Sequence, residues 1–243
     1  MSSFRKWGWG LGIATVTAVT AFGAASWQAN AAPGTPDPSS PVLRLPQVSD
    51  PSPVAEPATG SGSDPLTTAE VDKARAAALT PQLASAARGV TGEAGPEYLS
   101  ADVDFEGTGR QAELYFYDYR TDKLIKQVVD LPTGKLAKSF SKAGMQPPAS
   151  AREASVALDL LLADPLGADF KAAYHEAAGK EFAGRDGLVA SAHIYQAKPA
   201  DKGASQCGAK RCVQLLVQTA DGKFITVNDL IIDLSGRKVA RLT

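Results

Sequence analysis

Two cysteines and two histidines supply all the thiol and imidazole in this chain of 243 residues. Metal or nucleophile chemistry would have to be built from Cys207, Cys212, His175, His193 and carboxylates. Coordination sites generally take three or four protein ligands, and copper centres of the imidazole type need histidines. The histidine count therefore argues against a metal centre. His193 lies in "SAHIY", on a strand face shared with Val189, Ser191 and Tyr195. His175 lies in "AAYHEAA", near a helix C-terminus where partial positive charge suits the helix dipole. Both read as ordinary hydrogen-bonded or solvated histidines. No Gly-x-Ser-x-Gly elbow, phosphate loop or His-Glu-x-x-His is present, and the acidic residues form no recognisable acid–base pair. We expect no catalytic, cofactor-binding or metal-ligating residue in this chain, and no cofactor.

Cys207 and Cys212, in "QCGAKRCV", are read as a disulfide across the neck of a hairpin loop, because an even count suits an oxidising compartment. A redox switch or thiolate metal pair is the competing reading, but two further ligands for a metal are missing. Tyr115, Tyr117 and Tyr119 form a stripe at strand spacing with Glu113. Tyrosine suits surfaces that are apolar on one side and wet on the other. The stripe fits either an interaction surface or cover packed against a neighbouring domain or helix.

The elements that would carry these residues fall into two similar halves. "LTTAEVDKARAAAL" opens with a capping box, Thr67 to Glu70, and stops near Thr80-Pro81. Four strand candidates follow: "YLSADVDFE", "RQAELYFYDY" with Ala112, Leu114 and Phe116 on one face, "KLIKQVVDL", and "KLAKSF". The second half repeats the plan. Ser150 and Glu153 make a second capping box before a Leu/Ala stripe, and Asp164-Pro165 starts a further helix that ends at Gly179. "GLVASAHIY", "CVQLLVQT", "KFITVNDLIIDL" and "RKVARL" complete the second meander, with an Asp221-Gly222 hairpin turn. Each half closes on the same hairpin, "VVDLPTGK" and "IIDLSGRK", where Gly134 and Gly236 read as turn glycines. The expected architecture is α+β: two tandem domains, each a helix on a four-stranded antiparallel sheet, the second with an extra helix.

Residues 1–31 have the layout of a secretory signal peptide: Arg5-Lys6, an apolar stretch, then Ala29-Asn30-Ala31 as a small-x-small cleavage site. An uncleaved anchor is the alternative, since the stretch approaches spanning length. Residues 32–65 are Pro- and Ser-rich without aromatics, and are read as a disordered, semi-extended spacer. A balance of 25 basic and 26 acidic residues, with no basic block, offers nucleic acid no electrostatic footprint. The expected location is outside the cell or at its envelope. Membrane contact is expected only if the signal segment stays uncleaved.

"LTTAEVDKARAA", "AELYFYDYRTDKLIKQVVDLPTGKL", "GMQPPASAREASVALDLLLADP" and "LIIDLSGRKVARL" together resemble the paired N-terminal domains of copper amine oxidases, N2 and N3. The resemblance runs from about Leu66 to the C-terminus. It implies cystatin-like folds, with residues 66–145 as the N2-like domain and 146–243 as the N3-like domain. In that family catalysis belongs to a later domain with a quinone-forming Tyr, an Asp base and a copper held by three His. None of those residues has a matching position here. The resemblance implies a non-catalytic module that binds an unknown protein or envelope partner. Two other roles stay open: accessory subunit of a separately encoded amine oxidase, and cystatin-like peptidase inhibitor. For the last, "QVVDL" at Gln127 is read as strand and not as an inhibitory loop tip.

Overall fold

The Thr67 hydroxyl accepts the Glu70 N–H while the Glu70 carboxylate accepts the Thr67 N–H, so the first helix, α1 (Thr68–Ala78), starts on a complete capping box. The computed structural model describes residues 55–104 and 109–242. The expected signal segment, most of the Pro-rich spacer and Phe105-Glu106 of the first strand candidate lie outside them. α1 buries Ala74 and Ala78 against Ala112, Leu114, Phe116, Ile125 and Val129. Small side chains on the helix let it lie close to a sheet of bulkier residues.

That sheet has the order β1 (Glu97–Asp104), β2 (Gln111–Asp118), β3 (Lys123–Asp130), β4 (Lys135–Ala143), all antiparallel. β4 is an edge strand exposed along almost its whole length, and Lys135, Lys138 and Lys142 keep that edge charged. The chain does not simply stop at Thr80-Pro81. The Thr80 hydroxyl accepts the Leu83 N–H and Pro81 takes the first helical position, which starts a short second helix, α2 (Pro81–Ala86). The first half thus carries one helix more than expected.

The second half repeats the order. Ser150 and Glu153 cap α3 (Ala151–Ala163) with a second reciprocal box. α4 (Gly167–Ala178) begins two residues later than expected. Asp164 accepts the Leu166 N–H in a turn of its own instead of capping the helix directly. The tight α3–α4 corner requires Gly167, since a Cβ there would lie 2.5 Å from the Leu161 carbonyl oxygen. The sheet runs β5 (Leu188–Tyr195), β6 (Cys212–Thr219), β8 (Leu230–Asp233), β9 (Lys238–Arg241), with β7 (Phe224–Ile225) also on β6. "KFITVNDLIIDL" is therefore two strands where one was expected. Both pieces pair with β6, and the chain between them turns with the Leu230 N–H on the Val227 carbonyl. Leu158, Leu161, Phe170, Val213, Leu215, Leu230 and Ile232 fill the core beneath.

The two closing hairpins share their hydrogen bonds. Asp130 accepts the Thr133 N–H and Asp233 the Gly236 N–H, at 2.8 and 2.7 Å. Their left-handed positions differ in residue type. In the first hairpin it is Gly134, at φ 66°; in the second it is Arg237, at φ 52°. Gly236 does not need left-handed backbone, contrary to its expected role. A Cβ at Gly236 would meet the Asp233 carboxylate at 2.5 Å. Placing a non-glycine residue at a left-handed position costs on the order of 1 kcal/mol.

Gln127 points into the first core, only 3% exposed. Its amide nitrogen reaches the Ala78 carbonyl at 3.4 Å, but its Oε1 has no partner. That carbonyl is also satisfied by the Thr80 N–H. An unpaired buried acceptor costs about 1–3 kcal/mol. Gln127→Met should therefore raise the midpoint of urea unfolding, by a stabilisation of about 1 kcal/mol. A lowered midpoint would show that the amide contributes more than the unpaired oxygen costs.

Candidate functional site

A fully buried ion pair lies where the two halves meet. Arg211 immediately precedes β6 and has 0% exposure, as does Glu153 of the α3 cap. The Arg211 Nε–H donates to Glu153 Oε1 at 2.6 Å, and a terminal nitrogen donates to Oε2 at 2.8 Å. Its remaining N–H groups go to Gln146 Oε1 and to the Pro147 and Pro148 carbonyls, at 3.3, 3.1 and 3.2 Å. A guanidinium has five donors, and here each has an acceptor. Pro147 and Pro148 bring no N–H to this bend, and their carbonyls are free to accept.

The first half contains the same arrangement. Arg110 immediately precedes β2 and pairs in bidentate fashion with Glu70 of the α1 cap, both contacts at 2.9 Å. Its other donors reach the carbonyls of Gly62, Asp64 and Pro65, at 2.9, 2.8 and 3.0 Å. In each half the Arg carbonyl accepts from the Leu of the closing hairpin, Leu131 to Arg110 and Leu234 to Arg211. One residue thus ties the helix start, the loop before it, the second strand and the hairpin.

Only the second clamp also touches the other half. The Tyr119 hydroxyl donates to Glu153 Oε1 at 2.5 Å, and the Arg211 guanidinium lies 4.9 Å from the Tyr117 ring centroid. Burial, and then the Glu153 charge, push the Tyr119 phenol well above its ordinary range, so it stays a donor. Around this centre, Lys210 and Ser235 hold Asp122 at 2.6 and 2.5 Å. Arg152 bridges Glu93 and Glu97, each at 2.5 Å. Val90, from the loop before β1, is buried in the second half's core.

The sequence-derived candidates take definite places here. Cys207 and Cys212 are bonded to each other, with Cα atoms 5.3 Å apart. The loop they close contains Lys210 and Arg211, so the bridge braces the two cations of the junction. Tyr117 has no exposed surface, and Tyr119 is turned onto Glu153. Tyr115 is half-buried, with its hydroxyl on Glu113 at 2.7 Å. Tyr115 and Tyr119 are thus the partly exposed members of the stripe, and Tyr117 is closed off. His193 is exposed on β5, and His175 lies 3.6 Å from Glu181 at the surface. Among the described residues no group of three or more His, Cys, Asp or Glu could hold a metal ion. Sequence reasoning missed Arg110 and Arg211. Their signal is positional: each stands directly before the second strand of its half, in "GRQAEL" and "KRCVQL", and setting the repeats in register aligns them.

No family model matches the chain, and no curated protein matches it. Among solved structures, a copper-containing benzylamine oxidase from Hansenula polymorpha aligns with 74% of this chain and 29% of its own, at 12% identity and a TM-score of 0.42. The likeness is to a part of that enzyme's chain.

Two predictions follow from the clamps. Removing one partner of a buried pair costs about 3–5 kcal/mol, whereas replacing both by apolar residues is often close to neutral. Arg211→Met should lose that much stability in chemical denaturation, and Glu153→Met/Arg211→Met should recover most of it. Additive losses would show that the two residues do not act as a pair. For the first clamp, the Arg110 hydrogen bonds hold the Glu70 carboxyl at about 2, below its ordinary 4.5. A carboxylate lowered in the folded state stabilises above its unfolded value and loses that contribution as pH falls. Wild type should therefore lose about 2 kcal/mol from this group between pH 4.5 and pH 2. Glu70→Gln should be less stable at neutral pH and show a shallower acid limb. An unchanged limb would refute the assignment.

Proposed function

We propose that this protein is an exported, non-catalytic binding module whose two halves correspond to the N2 and N3 domains of copper amine oxidases. The observation that carries the non-catalytic reading is the saturation of the junction cluster. Both Glu153 oxygens and every Arg211 donor are engaged within the chain. A general acid or base needs a group within reach of substrate, and the most buried carboxylate–guanidinium pair has none to spare. The domain correspondence rests on the sequence phrases, on the repeated order of capped helix and meander, and on the paired closing hairpins.

The residues present do not fit copper. Both histidines are exposed and sit on separate elements, α4 and β5, and both cysteines are in the disulfide. For peptidase inhibition, Gln127 to Val129 lie buried in β3 and offer no loop tip to a peptidase cleft.

The test is made on protein purified from the culture medium. We expect an N-terminus at Ala32, and no peroxide from a panel of primary amines, with or without added Cu(II). Crosslinking in the envelope fraction should recover the protein with a stoichiometric partner. If that partner carries its own quinone and copper, the module is an accessory subunit. Amine-dependent peroxide from the purified chain alone would overturn the reading.

A further inference from the structure

Beside the saturated clamp lies a groove of about 210 Å³, lined among others by Arg88, Val90, Tyr119, Arg120 and Arg237. Three arginines line it, one each from the loop before β1, the β2–β3 turn and the second closing hairpin. Among the described residues none of the three has a carboxylate partner. Arg88 donates to the Ser85 and Ala87 carbonyls, and Arg237 donates one N–H to the Val90 carbonyl at 3.2 Å. Arg120 and Arg237 are exposed.

The nearby carboxylates are committed elsewhere. Asp118 accepts the backbone N–H groups of Arg88 and Arg120, at 2.9 and 3.0 Å, and the Thr121 hydroxyl at 2.6 Å. Glu97 takes the Val90 N–H and Arg152. These bonds fix the backbone on both sides of the groove but leave the side-chain cations unneutralised.

Arg237 adds an independent observation. It occupies the left-handed position that the sister hairpin gives to Gly134. Turn geometry alone favours glycine there, so the arginine is held against the local preference. Residues kept in disfavoured backbone regions cluster at ligand-binding sites.

We propose that this groove binds a phosphate-type oxyanion carrying about two negative charges. Guanidiniums present paired N–H groups that match such oxygens, and three of them suit a dianion better than a single carboxylate. The groove is open and small, so it takes an anionic group and not a whole drug-sized ligand. The group arrives either as free phosphate or as the monoester end of a larger molecule. The inference goes beyond the partner-binding role and does not depend on it.

The test is calorimetric titration of the full exported chain with inorganic phosphate and, separately, with phenyl phosphate, at low ionic strength. We expect saturable one-site binding that weakens with salt. Arg120 has no side-chain partner among the described residues, so Arg120→Met should fold as wild type and weaken phosphate about tenfold. Arg237→Gly restores the residue type of the sister turn and should do the same. Phenyl phosphate binding more tightly than phosphate would assign the monoester source, and equal affinity the free ion. No saturable binding by wild type, or undiminished binding by the folded Arg120→Met/Arg237→Gly double variant, would overturn the proposal. Neither result bears on whether the chain is exported or meets a partner.

Discussion

The fold depends on one repeated interaction, an arginine fork closed on the glutamate of a capping box. A capping box alone satisfies two helix-terminal N–H groups with local partners and is worth about 1 kcal/mol. Here its glutamate is also the acceptor for Arg110 or Arg211, which stands far away in sequence and starts a strand. The helix terminus is thereby fixed to the start of an interior strand by a charged, two-point contact. The loop before the helix is drawn in as well, because its carbonyls take the remaining guanidinium donors. Burying such a pair carries a large desolvation cost. The complete set of acceptors around Arg211 is what keeps that cost from dominating.

The two clamps differ in what surrounds them. Arg110 faces the incoming chain at residues 62–65, at the end of the Pro-rich segment. Arg211 faces the first half of the protein, through Tyr117 and Tyr119. The same device therefore anchors residues 62–65 to the first half and the first half to the second. The disulfide between Cys207 and Cys212 closes the loop that presents Arg211, so an oxidising compartment strengthens the junction directly. Its loop-closure contribution, about 2 kcal/mol for so short a ring, acts where the packing is most demanding.

Much of this was legible in the sequence. The capping boxes at Thr67 and Ser150, the alternation in "QAELYFYD" and the twin Asp-Leu hairpins announce helices, strands and duplication through local chemistry. The disulfide followed from the cysteine count and the expected oxidising compartment. What was not legible depends on distant partners. Tyr117 and Tyr119 read as an interaction surface or as cover for a neighbouring element, and the position of Arg211 and Glu153 decides for cover. The break between β7 and β8, and the short α2 after Thr80, turn on backbone choices that period-2 patterning does not record. The Arg237 turn shows the converse: sequence placed the special glycine at Gly236, one residue before the left-handed position.

The Arg211–Glu153–Tyr119 contact joins the two halves into one cooperative unit. Native-state hydrogen exchange tests it directly, by comparing the Leu131 N–H, bonded to Arg110, with the Leu234 N–H, bonded to Arg211. If the account holds, both amides exchange only through global opening, with the same free energy and the same dependence on denaturant. If one half opens at markedly lower free energy while the other stays protected, the halves fold independently and the junction does not couple them.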